Sequence, residues 1–167
     1  MPAARGSWTR CRYPEVVVSG LSTPGPPRRG APTAWHAEGR VLPSRYGWNF
    51  GTPQATVPTG ETEFQFQAGN LNFHSDSYQW LVVSGSCKAQ YKGTGMVNGV
   101  SGYSFLLTAY DAQAGSGGSC GGSNVDRFRI KIMLGSAVVY DNVRGTSDDI
   151  DSASPMAISG GSIVIHK

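Results

Sequence analysis

Residues 125–134 read VDRFRIKIML, with Phe128, Ile130 and Ile132 alternating strictly with Arg127, Arg129 and Lys131. A helix would scatter these two sets around its circumference. Only an extended strand puts all the apolar residues on one face and all the cations on the other. The same alternation recurs in TEFQFQA, where Phe64, Phe66 and Ala68 oppose Glu63, Gln65 and Gln67. NLNFH, YQWLVV, CKAQYKG, YSFLLTAYD, AVVYD and SIVIH continue the pattern. One dry and one wetted face is the pattern of antiparallel strands on a core. The runs are separated by turn sequences (VPTGET, VSGSC, VNGVSG, the Gly/Ser stretch 115–123 and LGSA), and LGSA predicts a two-residue hairpin with Gly135 at a positive φ. The expected fold is all-β: an antiparallel β-sandwich or open barrel of about seven or eight strands over residues 46–167. No fixed repeat is present, which argues against a propeller or solenoid.

The first 45 residues have a different texture. They hold seven of the ten prolines and seven Arg against two Glu, a net charge of +5, whereas residues 46–167 carry a net −2. The basic pI therefore belongs to this segment, and the folded part offers no reason to expect a nucleic-acid partner. STPGPPRRGAP cannot propagate a helix or an inner strand, because proline lacks the amide donor. EVVVS suffices for one short strand, and its apolar core is too short for a signal peptide. Residues 1–45 are thus expected to be a poorly ordered basic segment, with an Arg-rich tail for an acidic partner as the alternative. No apolar run is long enough for a membrane span.

His74, Ser75 and Asp76 stand in a row and invite comparison with a hydrolase triad. Neighbours on one turn can hardly make the required contacts, and no G-x-S-x-G elbow is present. GNLNFHSDSYQWLVV is better read as strand, polar turn, strand, leaving open whether His74 meets a carboxylate from another strand. A carboxylate pair for glycoside hydrolysis could be drawn from Glu61, Glu63, Asp76, Asp111, Asp126, Asp141 and the 148–151 cluster. Asp148, Asp149 and Asp151, helped by Asp141 or Asn142, are hard oxygen donors suited to Ca²⁺, though their spacing is not that of an EF-hand. The plain alternative is a solvated acidic loop in which Ser147 caps a turn. Trp48, Tyr78 and Tyr110 are candidates for stacking on sugar rings, whereas Trp80, in an apolar run, reads as core. The row Arg127, Arg129, Lys131 reads as a wetted sheet face that discourages edge pairing. Of the three cysteines, Cys87 and Cys120 suit a disulfide in an exported protein, with Cys11 left over; three free thiols are the alternative.

VPTGETEFQFQAGNLNFHSDSYQWLVVSG, AQYKGTG, VDRFRIKI, VVYDN and GGSIVIHK resemble a C-terminal β-domain of large exported bacterial proteins that carry immunoglobulin-like or PKD-type repeats. The resemblance runs from near Ala55 to Lys167 and implies export or cell-surface location and a β fold, but no catalytic residues. Two departures stand out. Only YGWNF could supply the strand expected upstream of ATVPTG, which would leave an exposed sheet edge open to homodimerisation. Met133-Leu134 also replaces the usual Trp-Asp pair. The functional expectation is a non-catalytic accessory or adhesion-type module, with carbohydrate as the ligand class. A small glycosidase and a structural cap on a repeat array are the alternatives. No cofactor other than Ca²⁺ is expected.

Overall fold

The computed structural model describes residues 15–22, 35–43, 58–66, 69–85, 87–114, 124–158 and 160–166. The expected fold class is found. The described part is 67% strand with no helix, and it forms a curled antiparallel sheet, a half-barrel of six strands with further strands added. The strands are β1 (Glu15–Ser22), β2 (Trp35–Pro43), β3 (Pro58–Phe66), β4 (Leu71–Ser84), β5 (Lys88–Val97), β6 (Val100–Tyr110), β7 (Arg127–Leu134), β8 (Ala137–Asp141), β9 (Met156–Ala157) and β10 (Gly160–His166). Their order is β10-β1-β2-β3-β4-β5-β6-β7-β8, with β9 pairing the other end of β7. Eight of them, β3 to β10, fall within residues 46–167, the number read from the alternation. The sheet also takes in β1 and β2 from the segment expected to be poorly ordered, so strand pairing crosses the boundary at residue 45.

The alternating apolar faces meet as one core. Phe64, Phe73, Tyr91, Phe105, Leu107, Ile130, Ile132 and Ile163 are completely or almost completely removed from solvent. Phe73 and Phe105 pack with ring centroids 5.0 Å apart at an interplanar angle of 59°, a tilted contact that favours their quadrupoles. Two hairpins follow their sequence signals. Asn98 and Gly99 both take positive φ between β5 and β6, as an Asn-Gly type I′ turn requires. Gly135 has φ 59° in the β7–β8 turn, where LGSA predicts it.

The reading of His74-Ser75-Asp76 as a turn is corrected. β4 is one continuous strand through these residues, and the chain reverses earlier, at Gly69-Asn70, where Asn70 has φ 48°. Its pairing with β5 slips between Ser75 and Ser77 and again between Tyr78 and Trp80, two bulges that take up the curl of a long strand. Opposite the bulges β5 carries Gly93 and Gly95. A Cβ on Gly93 would meet the Ser77 carbonyl oxygen at 2.0 Å, and one on Gly95 would meet that of His74 at 2.3 Å. Glycine is required here because the backbones approach so closely.

Side chains complete the sheet where strands do not. β7 is flanked by β9 at Arg127–Phe128 and by β8 from Lys131 onward. Between them, Asn142 fills the gap: its Oδ1 accepts from the Ile130 amide at 2.8 Å and its Nδ2 donates to the Phe128 carbonyl at 3.1 Å.

Candidate functional site

Three polar groups could carry chemistry, and the largest lies under the segment after β8. Gln90, Thr108 and Arg129 are cross-strand neighbours on β5, β6 and β7, on the outer side of the sheet. Residues 142–155 pass over them. The Gln90 side-chain amide donates to the Asp148 carbonyl at 2.9 Å, and Lys88 Nζ donates to the Asp151 carbonyl at 3.1 Å. Arg129 Nη1 donates to the Ser147 carbonyl at 2.9 Å, and Ser84 Oγ donates to Asp151 Oδ1 at 2.7 Å.

This corrects the reading of Arg129 as part of a wetted face. Its side chain is only 2% exposed and grips Asp141, itself 5% exposed, in a fork: Nε to Oδ1 at 3.0 Å and Nη2 to Oδ2 at 2.7 Å. Asp148 approaches Arg129 Nη1 at 2.8 Å and Lys131 Nζ at 2.6 Å. Two cations and two carboxylates thus neutralise one another, which is what allows a guanidinium to be buried. The hydrogen bond to Asp141 raises the Arg129 pKa against the opposing effect of burial. For Asp148, burial acts upward but is outweighed by hydrogen bonds from Lys131 and Arg129, and the pKa falls.

The four acids considered for calcium all have protein partners, Asp141 and Asp148 sharing Arg129. Asp149 Oδ1 accepts from the amides of Asp151 and Ser152 and from Ser152 Oγ, and these bonds hold its pKa below the ordinary value. Among the described residues, no group of three or more His, Cys, Asp or Glu side chains is gathered to hold a metal ion. Ser147 Oγ does accept from the Asp149 amide at 3.1 Å, the turn-capping role read from sequence.

The second group closes a seam. Asp111 and Asp126 are 4% and 6% exposed, at the end of β6 and the start of β7. Asp126 Oδ2 accepts from the Ile163 amide at 2.8 Å and Asp111 Oδ2 from the Ile165 amide at 2.9 Å. Asp126 Oδ1 accepts from Ala112 N, and Asp111 Oδ1 from Gln113 N and Ala114 N. Ile163 and Ile165 lie on β10, whose backbone pairs with β1. The two carboxylates stand where a further strand would receive the amides on its other side. As members of a hydrolytic pair they are a poor choice, since both oxygens of each serve backbone donors.

The third group is the outer face of β3 and β4. His74 Nδ1 lies 3.2 Å from Glu63 Oε1, with side chains 39% and 53% exposed, so His74 does meet a carboxylate from another strand. Glu61 is two residues away on β3, opposite Arg40 of β2. Asp76 is exposed at the first bulge of β4. The hydroxyls of Ser77 and Thr94, on β4 and β5, are 2.8 Å apart.

The aromatic candidates separate. Tyr78 turns inward, which removes it from any surface platform. Its hydroxyl is 2.6 Å from Thr62 Oγ1 and 3.2 Å from Ser75 Oγ, which in turn accepts from the Thr62 amide at 2.8 Å. Beside this buried trio, the Tyr91 hydroxyl is buried with no hydrogen-bond partner. Burial raises the Tyr91 pKa far above the ordinary phenol, the neighbouring Tyr78 adds to the effect, and the Thr62 hydroxyl offsets part of it. Trp80 corrects the sequence reading the other way: it is half-buried, opposite Lys92, and outside the core cluster. Tyr110 is half-buried beneath Lys88, whose Nζ is 5.8 Å from the ring centroid. Cys87 is disulfide-bonded. Cys120, the partner named for it, and Trp48 lie outside the described residues.

Compared with protein-family models, with curated proteins and with solved structures, the chain matches none.

Proposed function

We propose that this domain is a non-catalytic accessory or adhesion-type module of an exported bacterial protein, and that carbohydrate is the ligand class it takes. The observation that carries the reading is the use made of the buried acids. Asp111, Asp126 and Asp141 are held by backbone amides or by a guanidinium, which fits a scaffold better than a catalytic cleft. A glycosidase needs two carboxyl groups facing each other about 5–10 Å apart across a cleft, one of them free to hold a proton. The disulfide at Cys87 suits an oxidising, extracytoplasmic compartment. The Trp80 ring, half-buried on β4 opposite Lys92, with the Ser77–Thr94 hydroxyl pair further along the same two strands, has the mixture of stacking surface and hydrogen-bonding groups that sugar rings use.

The test is affinity electrophoresis and pull-down against a polysaccharide panel, run beside chromogenic glycosides and esters. Retardation by at least one polysaccharide, lost in Trp80→Ala with the fold intact by circular dichroism, supports the proposal. Turnover of a chromogenic substrate abolished by a single Asp or Glu substitution would replace it with the hydrolase reading. Absence of both binding and turnover would favour a structural cap.

A further inference from the structure

We infer that the carbohydrate taken by this domain is an anionic polysaccharide, received on the outer face of β4, β5 and β6 with Lys92 as the recognising cation beside the Trp80 ring. This rests on carbohydrate being the ligand class. Trp80, Lys92, Leu106 and Lys131 are successive register partners on β4, β5, β6 and β7, so they form one cross-strand row. Ser77, Thr94 and Ser104 form the adjacent row. Tyr91 and Phe105, which alternate with these residues on β5 and β6, are buried in the core. Both rows therefore lie on the outer side of the sheet.

The charge pattern selects an anion. Three cations near Lys92 on this face are engaged: Arg129 by Asp141 and Asp148, Lys131 by Asp148, and Lys88 by the Asp151 carbonyl. Lys92 is half-buried, and no described carboxylate lies within ion-pair distance of it. A half-buried lysine lays its stem on apolar surface and keeps its ammonium in water. A neutral sugar stacked on Trp80 would strip that water and return no charge, which is costly. A carboxylate or sulfate on the sugar offsets the loss and complements the cation.

The hydroxyl row supplies the rest of the contact. Residues 142–155 cover Gln90, Thr108 and Arg129, the row on the other side of Lys92. The hydroxyl side is more open: Ser77 is exposed, and Thr94 and Ser104 are half-buried. Thr94 stands two residues from Lys92 on β5, about 7 Å along the strand, a spacing of the order of one sugar ring. Ser77 and Thr94 hydroxyls, 2.8 Å apart, can each still take a further hydrogen bond from or to a sugar hydroxyl. A ring stacked on Trp80 thus has an ammonium at one edge and hydroxyls along the next row.

The experiment is affinity electrophoresis of the full chain against two matched pairs: polygalacturonate with its methyl ester, and dextran sulfate with dextran. Retardation by the charged member of at least one pair, well above its neutral partner, is expected, and the pair that shows it tells uronate from sulfate. Lys92→Gln should weaken that binding roughly fivefold or more, and Lys92→Arg should retain it. Arg144→Gln removes the same charge from an exposed position after β8 and should bind as the parent does. Because a substitution could disturb the sheet, the Trp80 indole NMR signal of the unaltered chain is followed with short oligosaccharides of the retarding polymer. It should shift, and the shift should shrink at high salt. Equal retardation by charged and neutral members, still lost in Trp80→Ala, would overturn the anionic inference and keep the carbohydrate reading. Retardation that survives both Trp80→Ala and Lys92→Gln would place the binding on the Arg-rich segment 1–45 and overturn the site. No retardation by either charged polymer, or an unmoved Trp80 signal, would overturn it as well, whatever neutral polysaccharides a wider panel shows to bind.

Discussion

The Asp126 carboxylate accepts the Ile163 amide at 2.8 Å, so the residue that opens β7 also holds the far side of β10. The same side chain accepts Ala112 N at 2.9 Å. Asp126→Ala leaves two buried amides without an acceptor, each costing about 1–3 kcal/mol, and the expected loss is about 2–5 kcal/mol. Asp126→Asn keeps one oxygen acceptor and should lose less. Urea unfolding gives the free energies. Hydrogen exchange at Ile163 should accelerate in both variants; an unchanged rate would show that the seam is held by other contacts.

Arg129 makes the second prediction. Removing one member of a buried ion pair strands the other, at about 3–5 kcal/mol. Arg129→Met should therefore be much more harmful than the surface-charge change Arg127→Met. The double variant Arg129→Met/Asp141→Leu should recover part of the loss, because no buried charge remains alone. A double-mutant cycle from chemical denaturation checks the coupling.

The acid limb of stability follows from Asp148. Its pKa is lower in the folded protein than in the unfolded chain, through Lys131 and Arg129 acting against burial. A depressed carboxylate contributes stability above its unfolded value, near pH 4, and loses it as pH falls through the lower folded value. Thermal midpoints should thus decline more steeply below about pH 4 in the parent than in Asp148→Asn. The side chain is 49% exposed, so solvent screening should keep the difference small, and added salt should shrink it further.

These cases show which parts of the fold were readable in advance. The alternation of Phe128, Ile130 and Ile132 with Arg127, Arg129 and Lys131 marks a strand correctly, because backbone period alone sets it. What covers the cationic face is a tertiary matter: residues 142–155 come from beyond the next hairpin, and nothing near Arg129 announces them. Asn98-Gly99 and Gly135 were legible because positive φ selects residue type. The two bulges of β4 were not, since a bulge at Asp76 shows the same polar run as a turn. The His74–Glu63 contact needed the register of β3 against β4, which the sequence left open. Asp111 and Asp126 resemble ordinary solvated strand ends until β10 is seen to pass beside them.

The glycines of β5 offer a steric test. A methyl group on Gly93 would sit 2.0 Å from Ser77 O and 2.8 Å from the Phe105 ring; backbone on one side and core on the other leave it no room. Gly93→Ala should cost about 3 kcal/mol or more, at the upper end of overpacking, or abolish folding. Gly99→Ala, with open space around its Cβ but φ +79°, should cost only about 1–2 kcal/mol from the left-handed backbone. Comparing the denaturation midpoints of the two variants separates close approach from backbone strain.

The interior hydroxyls distinguish a satisfied polar group from an unsatisfied one at almost constant volume. Tyr78 Oη is tied to Thr62 Oγ1 at 2.6 Å, so Tyr78→Phe removes a buried hydrogen bond and should destabilise by about 1 kcal/mol. Tyr91 Oη is buried without a partner, and its desolvation is already incurred in the native state. Tyr91→Phe deletes that cost and leaves no acceptor stranded. It should be neutral or stabilising by up to about 1–2 kcal/mol. Both variants keep the ring contacts, since Tyr78 and Tyr91 pack at 5.8 Å between centroids regardless of the hydroxyls. Equilibrium unfolding of the pair checks the sign. A loss in Tyr91→Phe equal to that in Tyr78→Phe would mean that the Tyr91 hydroxyl has a partner in solution, the neighbouring Thr62 hydroxyl being the side-chain group in place to serve.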